Sequence, residues 1–146
     1  MSRAKRLEPV QEVIGDAERR LAQSVVAFDR RVREAEAKLQ ELERYRLEYE
    51  RQFTERAGQG ISAPGLRDYQ AFLARLNEAV KQQQIIVQRA AAERDAERLR
   101  WQQAARRAKA LDHVVGQWQA DERRASDRRE QKDSDERGQR KVVIRE

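Results

Sequence analysis

Over residues 66–118 the apolar positions recur at alternating steps of three and four, in one unbroken heptad frame. One position of the frame holds Leu66, Leu73, Val80, Val87, Arg94, Trp101, Ala108 and Val115. Its companion holds Tyr69, Leu76, Gln83, Ala90, Glu97, Ala104, Leu111 and Trp118. A narrow seam sustained this long predicts a coiled coil rather than the broader apolar face of a globular helix. Gln83, Arg94 and Glu97 interrupt it. Burying such groups costs stability unless each is paired or reaches water, so they are expected to make a leaky middle that fixes register.

The first half carries a matching pattern. Leu7, Ile14, Leu21, Phe28, Ala35, Leu42 and Tyr49 are seven apart, and Val10, Ala17, Val25, Val32 and Leu39 accompany them. Two successive steps of four, Ala17 to Leu21 to Val25, insert a stutter that locally unwinds a supercoil. Pro9 suits a first helical turn, where its missing N–H loses nothing. Gly15 inside a helix costs about 1 kcal/mol, which favours fraying of the first turns.

Between the two patterns lies Ala57-Gly58-Gln59-Gly60-Ile61-Ser62-Ala63-Pro64-Gly65. Gly58 is suited to a left-handed C-terminal cap, and Ser62 or Pro64 to starting the next helix. So short a turn folds the second helix back on the first. The expected product is an antiparallel α-hairpin roughly 75 Å long, from a 1.5 Å rise over about fifty residues. With the turn centred on Ile61, facing residues carry numbers that add to about 122. Leu42 then meets Val80, Ala35 meets Val87, Leu21 meets Trp101, and Phe28 lies opposite Arg94, whose guanidinium could rest on the ring.

Past Trp118 the apolar frame ends. Residues 119–146 hold nine basic and eight acidic residues, with Val142, Val143 and Ile144 as the one apolar cluster. This predicts a lone helix that frays and is lost by Gly138, with either solvated disorder or a segment that orders on a partner as its meaning. The expected fold is all-α: a long antiparallel two-helix coiled coil over 1–118, its turn at 57–65, and a frayed charged tail over 119–146.

Composition narrows the chemistry. Charged residues make up 40% of the 146 and hydrophobic ones 38%, enough for a two-helix seam but not for a thick core. The net charge of +6 is spread among interleaved acids and bases, unlike the concentrated basic face of a nucleic-acid binder. It resembles a solvated coiled-coil exterior with intrahelical ion pairs. Without cysteine, disulfides and thiolate metal sites are excluded, and the single histidine, His113, has no catalytic or metal-binding companions. Neither a signal-peptide core nor a membrane-spanning run is present in the sequence. No GxxxxGK[ST] loop or Ser/His/Asp set occurs either. A non-enzymatic, cytoplasmic protein without cofactor is expected.

Phe28, Tyr49, Tyr69, Trp101 and Trp118 sit on the seam and are explained as core. Tyr45 and Phe72 are not. Phe72 begins an off-seam stripe with Ala79 and Ile86, and the register estimate brings Tyr45 and Phe72 within about two turns of each other near the hairpin tip. Such clustering suggests a contact surface, against the plainer alternative that both rings fold over the seam edge.

Tyr45-x-x-x-Tyr49, Gly58-x-Gly60-Ile61 and Tyr69-Gln70-x-Phe72-Leu73 with Leu76 and Ala79 together resemble the tip of the FliJ family. These are the small stalk proteins of the bacterial flagellar type III export apparatus. The run Arg129-Glu130-Gln131-Lys132-x-x-Asp135-Glu136 is similar to the family's C-terminal segment, so the likeness covers nearly the whole chain. It implies a two-helix coiled coil similar to the central stalk of rotary ATP synthases. It also implies insertion of the open end into the hexameric flagellar export ATPase, promotion of that ring's assembly, and contact with export chaperones. Contact with the membrane-embedded export gate would fall on Leu42, Tyr45, Tyr49, Phe72, Leu76 and Ala79. Lys38 and Gln83 stand at flanking positions where the family pattern carries other polar residues. The implied location is cytoplasmic, at the inner-membrane side of the flagellar base, with no nucleic acid and no small-molecule substrate. The stalk of a virulence type III secretion system, a basic coiled-coil nucleic-acid or scaffold protein, and a homodimeric four-helix bundle are the alternatives.

Overall fold

The computed structural model describes residues 2–145, with side chains through Val142; the apolar positions Val143 and Ile144 therefore lie outside the described side chains. Two α-helices account for nearly all of it: α1, Arg3–Gln59, and α2, Ala63–Arg145. No strand occurs among the described residues. The heptad pattern thus yields the all-α hairpin it predicts, with only residues 60–62 outside helix between the two.

Both helix starts are capped by serine. The Ser2 hydroxyl accepts the Lys5 N–H at 3.2 Å, and the Ser62 hydroxyl accepts the Gly65 N–H at 3.2 Å. A side-chain oxygen at this position satisfies one of the N–H groups a helix start leaves without a partner. Two expectations change here. Pro9 lies inside α1 rather than at its first turn, because Ser2 caps the helix earlier. The left-handed residue is Gly60, at φ 97°, and not Gly58. Gly60 donates its N–H to the Ala57 carbonyl at 3.2 Å, one of the closing bonds of a glycine-terminated helix, so α1 gains two residues.

The chain forms two compact units. In the loop unit, Leu21–Trp101, the core is a single file of seam residues: Val32 (1% exposed), Ala35, Leu76 and Val80 are buried. Two of the polar interruptions are as buried as the aliphatics, Gln83 at 4% and Glu97 at 6%. Gln83 Nε2 donates to the Ala35 carbonyl at 2.9 Å across the helices. A helix carbonyl has a second lone pair, so this bond satisfies the buried amide without breaking α1. Glu97 accepts from Arg100 at 3.2 Å. The third interruption corrects the expected ring contact. Arg94 pairs with Asp29 at 3.6 Å and Asp95 at 3.3 Å, while the Phe28 ring is covered by Arg31 at 4.7 Å. A carboxylate beside the ring offers a half-buried guanidinium more than the ring's quadrupole does. Arg33 and Arg98 also converge on Asp29, at 3.4 and 4.0 Å.

The second unit comprises Met1–Arg20 and Gln102–Glu146. Its buried residues are Ala4 and Val115, with Leu7, Ile14, Leu111 and Trp118 half-buried. Gln11 Nε2 donates to Asp112 Oδ1 at 2.9 Å, the Ala4 N–H to Glu122 Oε1 at 3.5 Å, and the Arg3 guanidinium covers the Trp118 ring at 4.7 Å. Beyond that level α2 continues without a partner, and residues 126–142 are all exposed. The helix passes Gly138 and runs to Arg145, contrary to the expected loss at the glycine. One glycine costs about 1 kcal/mol, which a run of strong helix formers offsets. Intrahelical polar pairs add support, among them Arg124 with Asp121 and Gln131 with Asp135 at 3.1 Å.

Candidate interaction surface at the hairpin tip

Tyr45, Tyr49 and Phe53 follow at steps of four on α1, so their rings lie one above another on one face. Tyr69 and Phe72, three apart on α2, meet them from the other side. Tyr45 and Phe72 are edge-to-face with centroids 6.1 Å apart, and Phe72 reaches Tyr49 at 4.5 Å. Tyr49 stacks on Tyr69 at 5.2 Å, and Tyr69 on Phe53 at 3.5 Å with planes only 12° apart. Five rings form one ladder across the hairpin. Each such pair contributes about 0.5–1.5 kcal/mol beyond simple area burial, so the ladder closes this end more firmly than small seam residues would.

One end of the ladder is open to solvent. Tyr45 is 49% exposed, and Phe72 and Ala79 are half-buried. The stripe that Phe72 begins runs through Ala79 to the exposed Ile86, beside the exposed Ile85. Toward the turn, a groove of about 250 Å³ is lined by Tyr49, Phe53, Tyr69 and Ile61, with Arg56 and Asp68 at its polar rim. Burial holds the Tyr69 phenol above its ordinary value, helped by the Glu50 carboxylate and the Tyr49 phenol.

Of the six residues expected at the tip surface, Tyr45, Tyr49 and Phe72 are in direct ring contact. Leu42 and Ala79 are half-buried along the same faces. Leu76 differs: at 7% exposure it belongs to the seam and supports the surface from beneath. Phe53 was missed by reading the sequence alone, although two signals point to it. It lies four residues beyond Tyr49, and its number faces Tyr69 under the hairpin register. Among the described residues no helix is long and apolar enough to cross a membrane, and no group of His, Cys, Asp or Glu is arranged to hold a metal ion.

The family model described as "Flagellar FliJ protein" matches residues 3–145. No curated protein and no solved structure matches the chain. With nearly its whole length matched, the chain belongs to the FliJ family, whose members are non-catalytic, export-related flagellar stalk proteins.

Proposed function

We propose that this FliJ-family chain is the central stalk of the flagellar type III export apparatus. It binds the hexameric export ATPase through its open end, promotes assembly of that ring, and reaches the membrane export gate through its tip. It also contacts export chaperones, and works in the cytoplasm at the inner-membrane side of the flagellar base. Its role is mechanical. A two-helix rod inside a sixfold ring touches only some subunits at a time, which suits an asymmetric axle.

The observation that carries the reading is the exposed end of the aromatic ladder. A monomeric hairpin needs Tyr49, Tyr69 and Phe53 for packing, whereas Tyr45 meets Phe72 by its edge and leaves half of its surface in water. Aromatic anchors beside half-buried aliphatics are the residues that dominate protein interfaces. Leu42, Tyr45, Tyr49, Phe72 and Ala79 form the contact face, with Leu76 beneath it.

The test titrates the same organism's flagellar export ATPase with this protein, following hydrolysis and, by electron microscopy, ring formation. Binding to the gate's cytoplasmic domain is measured in parallel. The Tyr45→Ala/Phe72→Ala double variant is expected to keep ATPase stimulation and to lose gate affinity by about tenfold or more. A folded protein that neither stimulates the ATPase nor forms rings would remove the stalk assignment.

A further inference from the structure

The unit built from Met1–Arg20 and Gln102–Glu146 has two edges of opposite character. On α1, Arg3, Arg6, Val10, Val13, Ala17 and Arg20 follow steps of three and four, so they form one stripe. Arg3 lies over Trp118, which fixes this stripe beside the face of α2 that carries Trp118 and, at helical spacing before it, Val114, Ala110 and Arg107. The other edge is marked by the Gln11–Asp112 hydrogen bond, and on α1 it carries Glu8, Glu12 and Asp16.

The first edge combines exposed aliphatics with cations. Val13 is 68% exposed, Val10 43% and Val114 37%. Arg20 and Arg107 are exposed and carry no ion pair among the described residues. From Gln102 to Leu111 α2 has no carboxylate at all, and the α1 stripe has none along its length. Over residues 102–119 the one α2 carboxylate, Asp112, lies on the other edge, and the acid nearest the stripe, Asp16, is paired with Arg19, so the face that leaves three valines in water is net basic.

We infer that this edge docks an acidic amphipathic helix of a partner protein, which packs as a third strand along the two-helix unit. Valine and alanine at helical spacing leave a shallow seam into which a helix's apolar knobs fit. The flanking arginines select glutamate-rich borders on that helix, because charge complementarity decides which partner approaches and in what orientation. Nucleic acid would use the arginines and leave the valines in water. An anionic membrane would draw in bulky interfacial residues, and the one such residue on this edge, Trp118, is half-buried beneath Arg3. The inference rests neither on the proposed role of the tip nor on insertion of the open end in the ATPase ring.

The probe is a synthetic amphipathic helix with leucine at its a and d positions and glutamate at e and g, titrated by fluorescence anisotropy against the full chain at low salt. Binding is expected, weakened about tenfold by Arg20→Glu/Arg107→Glu and similarly by Val13→Glu, because cross-interface charge pairs and apolar contacts each contribute on that order. All three positions are exposed, so circular dichroism should show unchanged helicity. Glu12→Gln, on the opposite edge, should leave binding as it is. The inference is overturned by any of four results: no binding; equal binding of the same peptide with lysine for glutamate; insensitivity to the edge variants; or tighter binding of duplex DNA or phosphatidylserine vesicles through the same residues.

Discussion

The two units use the same two helices and solve the packing problem differently. The loop unit closes its seam with large rings at one end and with paired polar groups in the middle, so almost every seam position is specified. The other unit buries only small residues, Ala4 and Val115, among those described. Its α2 then continues with no partner helix. A hairpin of this composition does not need uniform stability. Where the chain must hold one register it uses specific side chains; elsewhere a thin seam and intrahelical pairs suffice.

The sharpest way to break the contrast is to place the same charge in each unit. Val32→Asp puts a carboxylate at the most buried position of the loop unit and should cost about 3 kcal/mol or more, seen as a collapse of the thermal transition in circular dichroism. Val13→Asp, in the other unit, should move stability by less than about 0.5 kcal/mol, as exposed substitutions do. Equal effects would end the comparison. Next, Phe53→Ala removes the ring stacked on Tyr69 and should cost about 2 kcal/mol, between the value of one aromatic pair and that of a fully buried phenylalanine. Urea denaturation measures it.

Gln83→Leu should change stability by less than about 1 kcal/mol, since an apolar side chain replaces a satisfied amide and the Ala35 carbonyl keeps its helix bond. Its consequence should appear instead as mixed cross-helix distances in spin-label measurements, where the wild-type chain gives one distribution. The smallest expected effect concerns pH. Folding holds the Tyr69 phenol above its ordinary value of 10.0. Above that pH the unfolded chain gives up the proton first, so stability falls as pH rises toward the folded value. Tyr69→Phe should flatten this alkaline slope in a pH series of melting curves.

How much of this was legible in the sequence depends on whether the signal was periodic or local. The 66–118 frame named the inward face of α2 correctly except at Leu66, which is 40% exposed because the start of α2 meets only the last turns of α1. The facing numbers that add to about 122 brought Tyr45 and Phe72 together, and the structure makes them touch. Competing local partners were harder to read. Gly58 and Gly60 are both suited to a cap, and one more hydrogen bond decides for Gly60. Arg94 had both a ring and a carboxylate within reach, and only geometry chooses. In the tail, composition alone makes a solvated coil and a lone charged helix look alike. The difference lies in spacing: Lys132 with Glu136, Asp133 with Arg137 and Glu136 with Arg140 all set opposite charges four apart. Of the tip surface, the outward rings and the burial of Leu76 at its seam position were legible, whereas the role of Phe53 required the register to be known residue by residue.

Gly60 carries one further consequence. A β-carbon built there meets no atom within 4 Å, so the position is roomy, and what excludes an ordinary side chain is the φ of 97°. The turn therefore discriminates by chirality and not by size. A D-alanine introduced at residue 60 by chemical ligation would adopt the same dihedral without strain and would narrow the unfolded ensemble. The mirror-image residue should tighten the turn where its L counterpart opens it.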